Sequence, residues 1–133
     1  MNKRRLLKLA DLLEADAKNK KGIKFDMTHW AYIGNSAKPI SCDTSACAMG
    51  LAALSGEYKR AGLGWKLDKY GYFKITMNGR GWALTAAMRL FGISRKQAEY
   101  LFCESSEEGA EGERHVAKFI RRFVKQNGQM AAR

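Results

Sequence analysis

The sequence predicts a helix-rich α+β fold in a single domain, with about five helices and one β-hairpin at about 65–77. Three observations carry this. The chain has 133 residues and is 46% apolar, enough to bury roughly two thirds of its unfolded surface around one ordinary core. Several stretches repeat apolar residues at helical spacing. A single region reads as strand, turn and strand, and a two-stranded hairpin needs helices to cover it.

The first helix follows from Leu6, Leu9, Ala10, Leu13 and Ala17, one stripe within residues 4–17. Asn19-Lys20-Lys21-Gly22 ends it, with Gly22 suited to the residue after the cap. Ile23 to Met27 reads as extended, Thr28 as the cap of a short turn, and Gly34 to Pro39 as a loop. A helix of small residues is expected from the Ser41–Asp43 region to Leu54, with Gly56 as its stop. Ala, Cys and Gly let another backbone come close, so this helix is expected to be central, with Cys47 inside it on the packed side. Trp65–Asp68 and Tyr72–Met77 form the hairpin around Lys69-Tyr70-Gly71. Trp82–Phe91 is helical and closed by Gly92. Ser94-Arg95-Lys96-Gln97 has the form of a capping box and opens a helix to about Phe102. Residues 104–113 read as a mobile acidic connector, and a last helix runs over about 113–127 to Gly128.

Charge narrows the functional classes. Lys and Arg number 24 against 13 acids, a net +11. Five of those acids crowd into Glu104–Glu113, so elsewhere 24 bases face 8 acids. Such a field attracts polyanions: nucleic acid, nucleotides or an acidic protein face. No window approaches the ~18 apolar residues of a membrane span. The first residues are basic and then apolar, but Lys8, Asp11 and Glu14 interrupt any signal-like core. Three unevenly spaced cysteines argue against a disulfide framework and for reduced thiols in the cytosol.

Four constellations have chemical potential. On the last helix, Lys118, Arg121, Arg122 and Lys125 share a face opposite Val116, Phe119, Ile120 and Phe123, with Arg114 one turn earlier. They are candidate anion ligands, and Arg80, in the turn Gly79-Arg80-Gly81, is another. Lys69, Tyr70, Tyr72 and Lys74 on the hairpin suit stacking and charge neutralisation on a single strand, or else a half-buried sheet face. The expected helix start after Cys42 would offer free amides to a phosphate, with Thr44 and Ser45 at the site, although Asp43 competes for them. At the same place Cys42 would be an activated thiol, with His29 as base and Asp26 as its orienter. A metal site is not expected. Cys42 and Cys47 are five residues apart, which points them to different sides of a helix. No P-loop, G-x-G-x-x-G or G-x-S-x-G motif occurs, and no cofactor is expected.

Phe25-Asp26-Met27, Trp30, the segment Cys42-Asp43-Thr44-Ser45-Ala46-Cys47-Ala48-Met49-Gly50, Leu90-Phe91-Gly92-Ile93, Leu101-Phe102 and Val116 to Phe123 resemble a family of small uncharacterised bacteriophage and bacterial proteins. Its typical core reads C-G-T-x-A-C-A-x-G-W-A; this chain has Asp43 and Leu51 where glycine and tryptophan are usual. The resemblance implies a phage setting, host cytosol, and a part in countering host defence. It carries over no catalytic residue. The resulting expectation is a small basic, non-enzymatic accessory protein that binds nucleic acid or a nucleotide signal. An inhibitor docking on an acidic host protein, or a cysteine-nucleophile hydrolase or transferase, are the alternatives. The oligomeric state is not legible in the sequence.

Overall fold

The computed structural model describes residues 1–34 and 37–131; Asn35 and Ser36 of the expected loop lie outside them. Two helices from opposite ends of the chain form its spine: α1 (Lys3–Lys18) and α5 (Gly109–Lys125). Leu6, Leu9, Ala10 and Leu13 of α1 are buried, as are Val116, Ala117, Ile120, Phe123 and Val124 of α5. The pair is antiparallel, as three polar contacts along its length show. Lys3 reaches Asn127 at one end, Asp11 and Glu14 hold Arg121 in the middle, and Asp16 meets Glu113 at the other end. Asn2 caps α1 by accepting from the Arg5 amide at 3.0 Å.

Between these helices the chain builds two small sheets and three short helices. Strand β1 (Lys24–Phe25) lies parallel to β3 (Ser45–Ala46), which pairs antiparallel with β2 (Ala31–Tyr32) on its other side. Helix α2 (Ala48–Ser55) follows β3 directly, and seven of its eight residues are buried. The expected hairpin is present as β4 (Leu63–Leu67) and β5 (Phe73–Met77), in register from Leu63↔Met77 to Leu67↔Phe73. Helices α3 (Ala83–Phe91) and α4 (Arg95–Phe102) complete the set, and Ser94 and Gln97 form the reciprocal capping box read from the sequence. The fold is thus a helix-rich α+β domain, with five α-helices among the described residues.

Three expectations need correction. The helix expected to start after Cys42 begins at Ala48, because Ser45 and Ala46 are recruited as the middle strand of a sheet whose members are each two residues long. Strands that short leave no periodicity to read. Cys47 is therefore not inside the helix but caps it: its Sγ accepts from the Gly50 amide at 3.3 Å while its own amide donates to the Trp30 carbonyl. A Cβ on Gly50 would collide with that same Trp30 carbonyl oxygen, so glycine is needed where β2 crosses α2.

The acidic connector, secondly, is held in place. The Glu107 carbonyl accepts from the Met27 amide at 2.9 Å, and Glu108 bridges to Asp26. Residues 109–113 already belong to α5. Gly112 has no side chain to obstruct the segment crossing it: a Cβ there would stand 3.2 Å from the Glu107 backbone. Thirdly, Arg121 is not part of a free basic face. It is half-buried against α1, ion-paired to Asp11 at 2.6 Å and to Glu14. The arc from 118 to 125 is wide enough that one edge turns towards the neighbouring helix.

The capping role sets the response of Cys47 to substitution. Serine is a preferred helix cap and supplies the same acceptor. Cys47→Ser is expected to stay within about 1 kcal/mol of wild type, the lost sulfur packing being offset by a better cap. Cys47→Ala should cost about 1–2 kcal/mol, since it leaves the Gly50 amide without an acceptor. Urea midpoints of the two variants check this ordering; the reverse ordering contradicts it.

Candidate nucleic-acid interface and an acidic cleft

The hairpin tip is shaped by one side chain. Asp68 Oδ1 accepts from the amides of Tyr70 and Tyr72 at 2.8 and 2.9 Å, and the Asp68 carbonyl accepts from Gly71, whose φ is +82°. With its own amides tied inward, the loop turns Tyr70 and Tyr72 outward, 73% and 69% exposed. Tyr32 of β2, also 73% exposed, borders the same depression of about 250 Å³. Beyond Phe73 a second depression of about 280 Å³ runs to Trp82, which stands 75% exposed at the start of α3. Phe73 borders both, so the two depressions adjoin at that residue.

Cations interleave with these rings. Lys69 Nζ lies 5.0 Å from the centre of the Tyr70 ring, and Lys74 Nζ 5.8 Å from that of Trp82. Lys66 and Arg80 are exposed nearby on the chain. From Tyr58 to Ala98 the sequence holds nine bases and one acid, Asp68, whose carboxylate is occupied by the loop amides. All nine bases are exposed. Tyr32, Trp82 and this basic middle third are not among the residues that motif and spacing single out, which favour the terminal helix. A running charge count along the chain is the signal that locates it.

On α5, Arg114, Lys118, Arg122 and Lys125 are exposed as expected. Lys118 and Arg122 line a groove of about 360 Å³ with His115, Val116 and Phe119, and the Arg122 guanidinium sits 5.4 Å from the Phe119 ring centre. Glu107 reaches into the same groove, 3.4 Å from His115 Nδ1.

The constellation around Cys42 is not assembled as expected. Cys42 is exposed in the loop before β3, five residues short of the cap of α2, so it gains nothing from the helix. Thr44 is wholly buried and Ser45 lies in the strand, so neither presents free helix-start amides. His29 Nε2 instead meets Ser45 Oγ at 2.7 Å, and Asp26 Oδ2 stands 3.8 Å from His29 Nδ1, beyond hydrogen-bond length. Asp26 Oδ1 takes both the amide and the hydroxyl of Thr28, and these bonds hold its carboxyl below the ordinary range. The three side chains thus tie the turn after β1 to β3. Burial pushes the Cys47 thiol up to about 12, which makes it inert as a nucleophile.

A scan against protein-family models and searches of curated proteins and of solved structures find no match to this chain. The shared-looking segment around Cys42–Gly50 therefore rests on its own geometry. In that geometry Thr44 packs, Ser45 and Ala46 pair, Cys47 caps and Gly50 makes room.

An unexpected cluster lies where α1, β1 and the start of α5 meet. Glu113, 1% exposed, faces Asp16 across the helix pair. The two carboxyls hydrogen-bond to each other, side chain to side chain. Asp16 Oδ1 accepts from the Ile23 amide at 3.2 Å. Both residues line a cleft of about 650 Å³ that also includes Asp26, Glu108 and Lys24. Burial, and then the neighbouring Asp16, push the Glu113 carboxyl up to about 10; burial likewise raises Asp16. The pair therefore holds a proton at neutral pH. Among the described residues no group of three or more His, Cys, Asp or Glu is placed to hold a metal ion, and no helix is long and apolar enough to cross a membrane.

The raised carboxyl gives stability a definite pH dependence. Glu113 is protonated in both states below its ordinary value of 4.5, ionises first in the unfolded chain, and ionises in the folded chain only near 10. Its contribution is thus fully present at low pH and is lost as pH rises through that window, by at most about 1.4 kcal/mol per pH unit. Glu113→Gln should remove the decline and be the more stable form above about pH 7. Urea unfolding of both chains across this range checks it; parallel pH profiles would mean that Glu113 is ionised in the fold.

Proposed function

We propose that this chain binds single-stranded nucleic acid on the surface formed by Tyr32, Tyr70, Tyr72 and Trp82, with Lys66, Lys69, Lys74 and Arg80 neutralising the backbone. The observation that carries the reading is the exposure of four large aromatic side chains around two depressions that adjoin at Phe73. They are set among bases in the stretch of chain where nine bases face one acid. Leaving such rings in water is unfavourable without a function, and every base has a flat face that stacks on them. The flanking lysines supply sequence-independent attraction through counterion release. Lys118, Arg122 and Lys125 of α5 add to the long-range field that draws a polyanion in.

This favours a strand over a compact nucleotide at the Cys42 segment, since α2 begins at the Cys47 cap and offers no free amides to Thr44 or Ser45. The role of this surface is binding, not catalysis. A phage setting and an action against host defence belong to this proposal as its biological context.

Fluorescence anisotropy with a labelled oligothymidine of about 12 nucleotides tests it at two salt concentrations. Trp82→Ala and the double variant Tyr70→Ala/Tyr72→Ala are each expected to weaken binding about 5- to 100-fold. Their folding stability should stay within about 0.5 kcal/mol per substitution, because the rings are exposed. Lys69→Gln/Lys74→Gln should flatten the salt dependence by about one to two charges. Aromatic variants that bind as wild type does would contradict the reading. So would tighter binding to a duplex of equal length, which hides the base faces.

A further inference from the structure

The turn after β1 carries an arrangement that strand binding does not use. We propose that Ser45, His29 and Asp26 form an acyl-transfer site that hydrolyses small carboxylic esters, with Ser45 as nucleophile, His29 as general base and Asp26 positioning the imidazole. The two ring nitrogens of His29 carry the argument. Nε2 lies 2.7 Å from Ser45 Oγ, and Nδ1 faces Asp26 Oδ2 at 3.8 Å. Asp26 Oδ1 is taken by the amide and hydroxyl of Thr28, so Oδ2 is the oxygen left to the ring. The same bonds favour the ionised carboxylate. A carboxylate on that side keeps the ring proton on Nδ1 and leaves the Nε2 lone pair to accept from the serine hydroxyl. Nucleophile, base and orienter in this order mark an activated serine, whatever fold carries it. The separation of Asp26 from His29 is long for a hydrogen bond, and catalytic contacts often tighten only once substrate is bound. The base and the orienter are those expected from the sequence; the nucleophile they meet is Ser45 in place of Cys42.

Backbone bonds fix the three side chains in place. The Asp26 amide donates to the Ala46 carbonyl at 2.9 Å and the Cys47 amide to the Trp30 carbonyl at 3.1 Å, so the turn is clamped onto β3 at both ends. The group is open to a substrate. Ser45 is half-buried, and the side chains of His29 and Asp26 are partly exposed. Ser45, Asp26 and Lys24 line the cleft of about 650 Å³, which has Ile23 and Phe25 as apolar walls. Lys24 is the register partner of Ser45 on β1, so the two side chains leave the same face of the sheet. A cation is thus at hand for the negative charge that develops on the substrate carbonyl oxygen. Asp26 and Glu108 in the lining disfavour an anionic substrate, and the apolar walls suit a short uncharged acyl chain. In the reaction, Ser45 Oγ bonds to the acyl carbon as its proton passes to His29 Nε2. The C–O bond to the alcohol breaks, and the departing alkoxide takes that proton, leaving an acyl-serine. Water then attacks the acyl carbon, giving a proton to Nε2; that proton returns to Oγ as the carboxylic acid leaves.

Intact-mass spectrometry of the whole chain after treatment with an alkyl fluorophosphonate, which loses fluoride to an activated serine, tests the nucleophile. Steady-state hydrolysis of p-nitrophenyl acetate and butyrate tests turnover. A single phosphonyl group is expected, mapped to Ser45 by peptide sequencing and lost when the chain is first unfolded in urea. Ser45→Ala should remove the label and lower kcat/KM by about tenfold or more. His29→Gln keeps a hydrogen-bonding group against Ser45 but supplies no base. It should lose label and activity to the same degree while its melting temperature stays close to that of wild type. Asp26→Asn keeps an acceptor for Thr28 and removes the charge, so kcat should fall by about tenfold or more with KM little changed. A serine that merely ties the turn to β3 predicts the opposite: no label, and equal ester hydrolysis by wild type and all three variants. Labelling of the wild-type chain decides the matter should a variant not fold. No adduct on Ser45, an adduct that survives prior unfolding, or wild-type hydrolysis by a folded variant would overturn the proposal. None of these outcomes bears on strand binding, which is read with oligothymidine.

Discussion

The antiparallel contact between α1 and α5 is the constraint on which the rest of this molecule depends. It joins the two ends of the chain, so everything between Gly22 and Glu108 must start and finish on one side of a helix pair. The contact is apolar along its middle, with Leu6, Leu9, Leu13, Val116, Ile120 and Phe123 all withdrawn from water. Its polar contacts fix how the helices slide past one another. In the register these helices adopt, Arg121 sits in the fork of Asp11 and Glu14 and Glu113 meets Asp16. The buried carboxyl pair is thus a consequence of where the helices lock. The connector before α5 closes the arrangement by hydrogen-bonding to the turn after β1.

That closure also sorts the charges. Asp11 and Glu14 of α1 are ion-paired to Arg121 of α5, Asp16 faces Glu113, and Glu107 of the connector lies against the start of α5. The stretch from Tyr58 to Ala98 packs its apolar residues into the core and carries almost nothing but bases among its charged side chains. A molecule with a net charge of +11 therefore has two distinct electrostatic regions, a broad basic aromatic surface and a narrow acidic cleft. The first suits a long ligand bound by stacking and counterion release.

Much of the framework was legible in the sequence because it rests on local chemistry. The α1 stripe, the Ser94–Gln97 capping box, the glycine stops at Gly56 and Gly92 and the hairpin all appear where spacing and turn residues put them. The failures have one physical cause, which is that long-range pairing overrode local preference. Ser45 and Ala46 could have extended a helix, but β1 and β2 capture them as a strand of two residues. Residues 104–108 carry no large apolar anchor, yet backbone hydrogen bonds to Met27 and Asp26 hold them. The exposure of Tyr70, Tyr72 and Trp82 depends on which way a loop turns, which alternation along a strand does not report. Nor could Glu113 be told from its acidic neighbours, since only the partner helix distinguishes a buried carboxyl from a solvated one.

Hydrogen exchange of the native chain tests the dependence on α1 and α5 most directly. If their contact holds the domain together, the core amides of both helices, around Leu9 and Leu13 and around Val116 and Ile120, open with the same free energy. That value should be the highest in the molecule and equal to the global unfolding free energy, while the hairpin tip exchanges by smaller, local openings. Exchange of α5 well ahead of α1, with the hairpin and α2 still protected, would show that the chain ends are an addition to a core that stands without them.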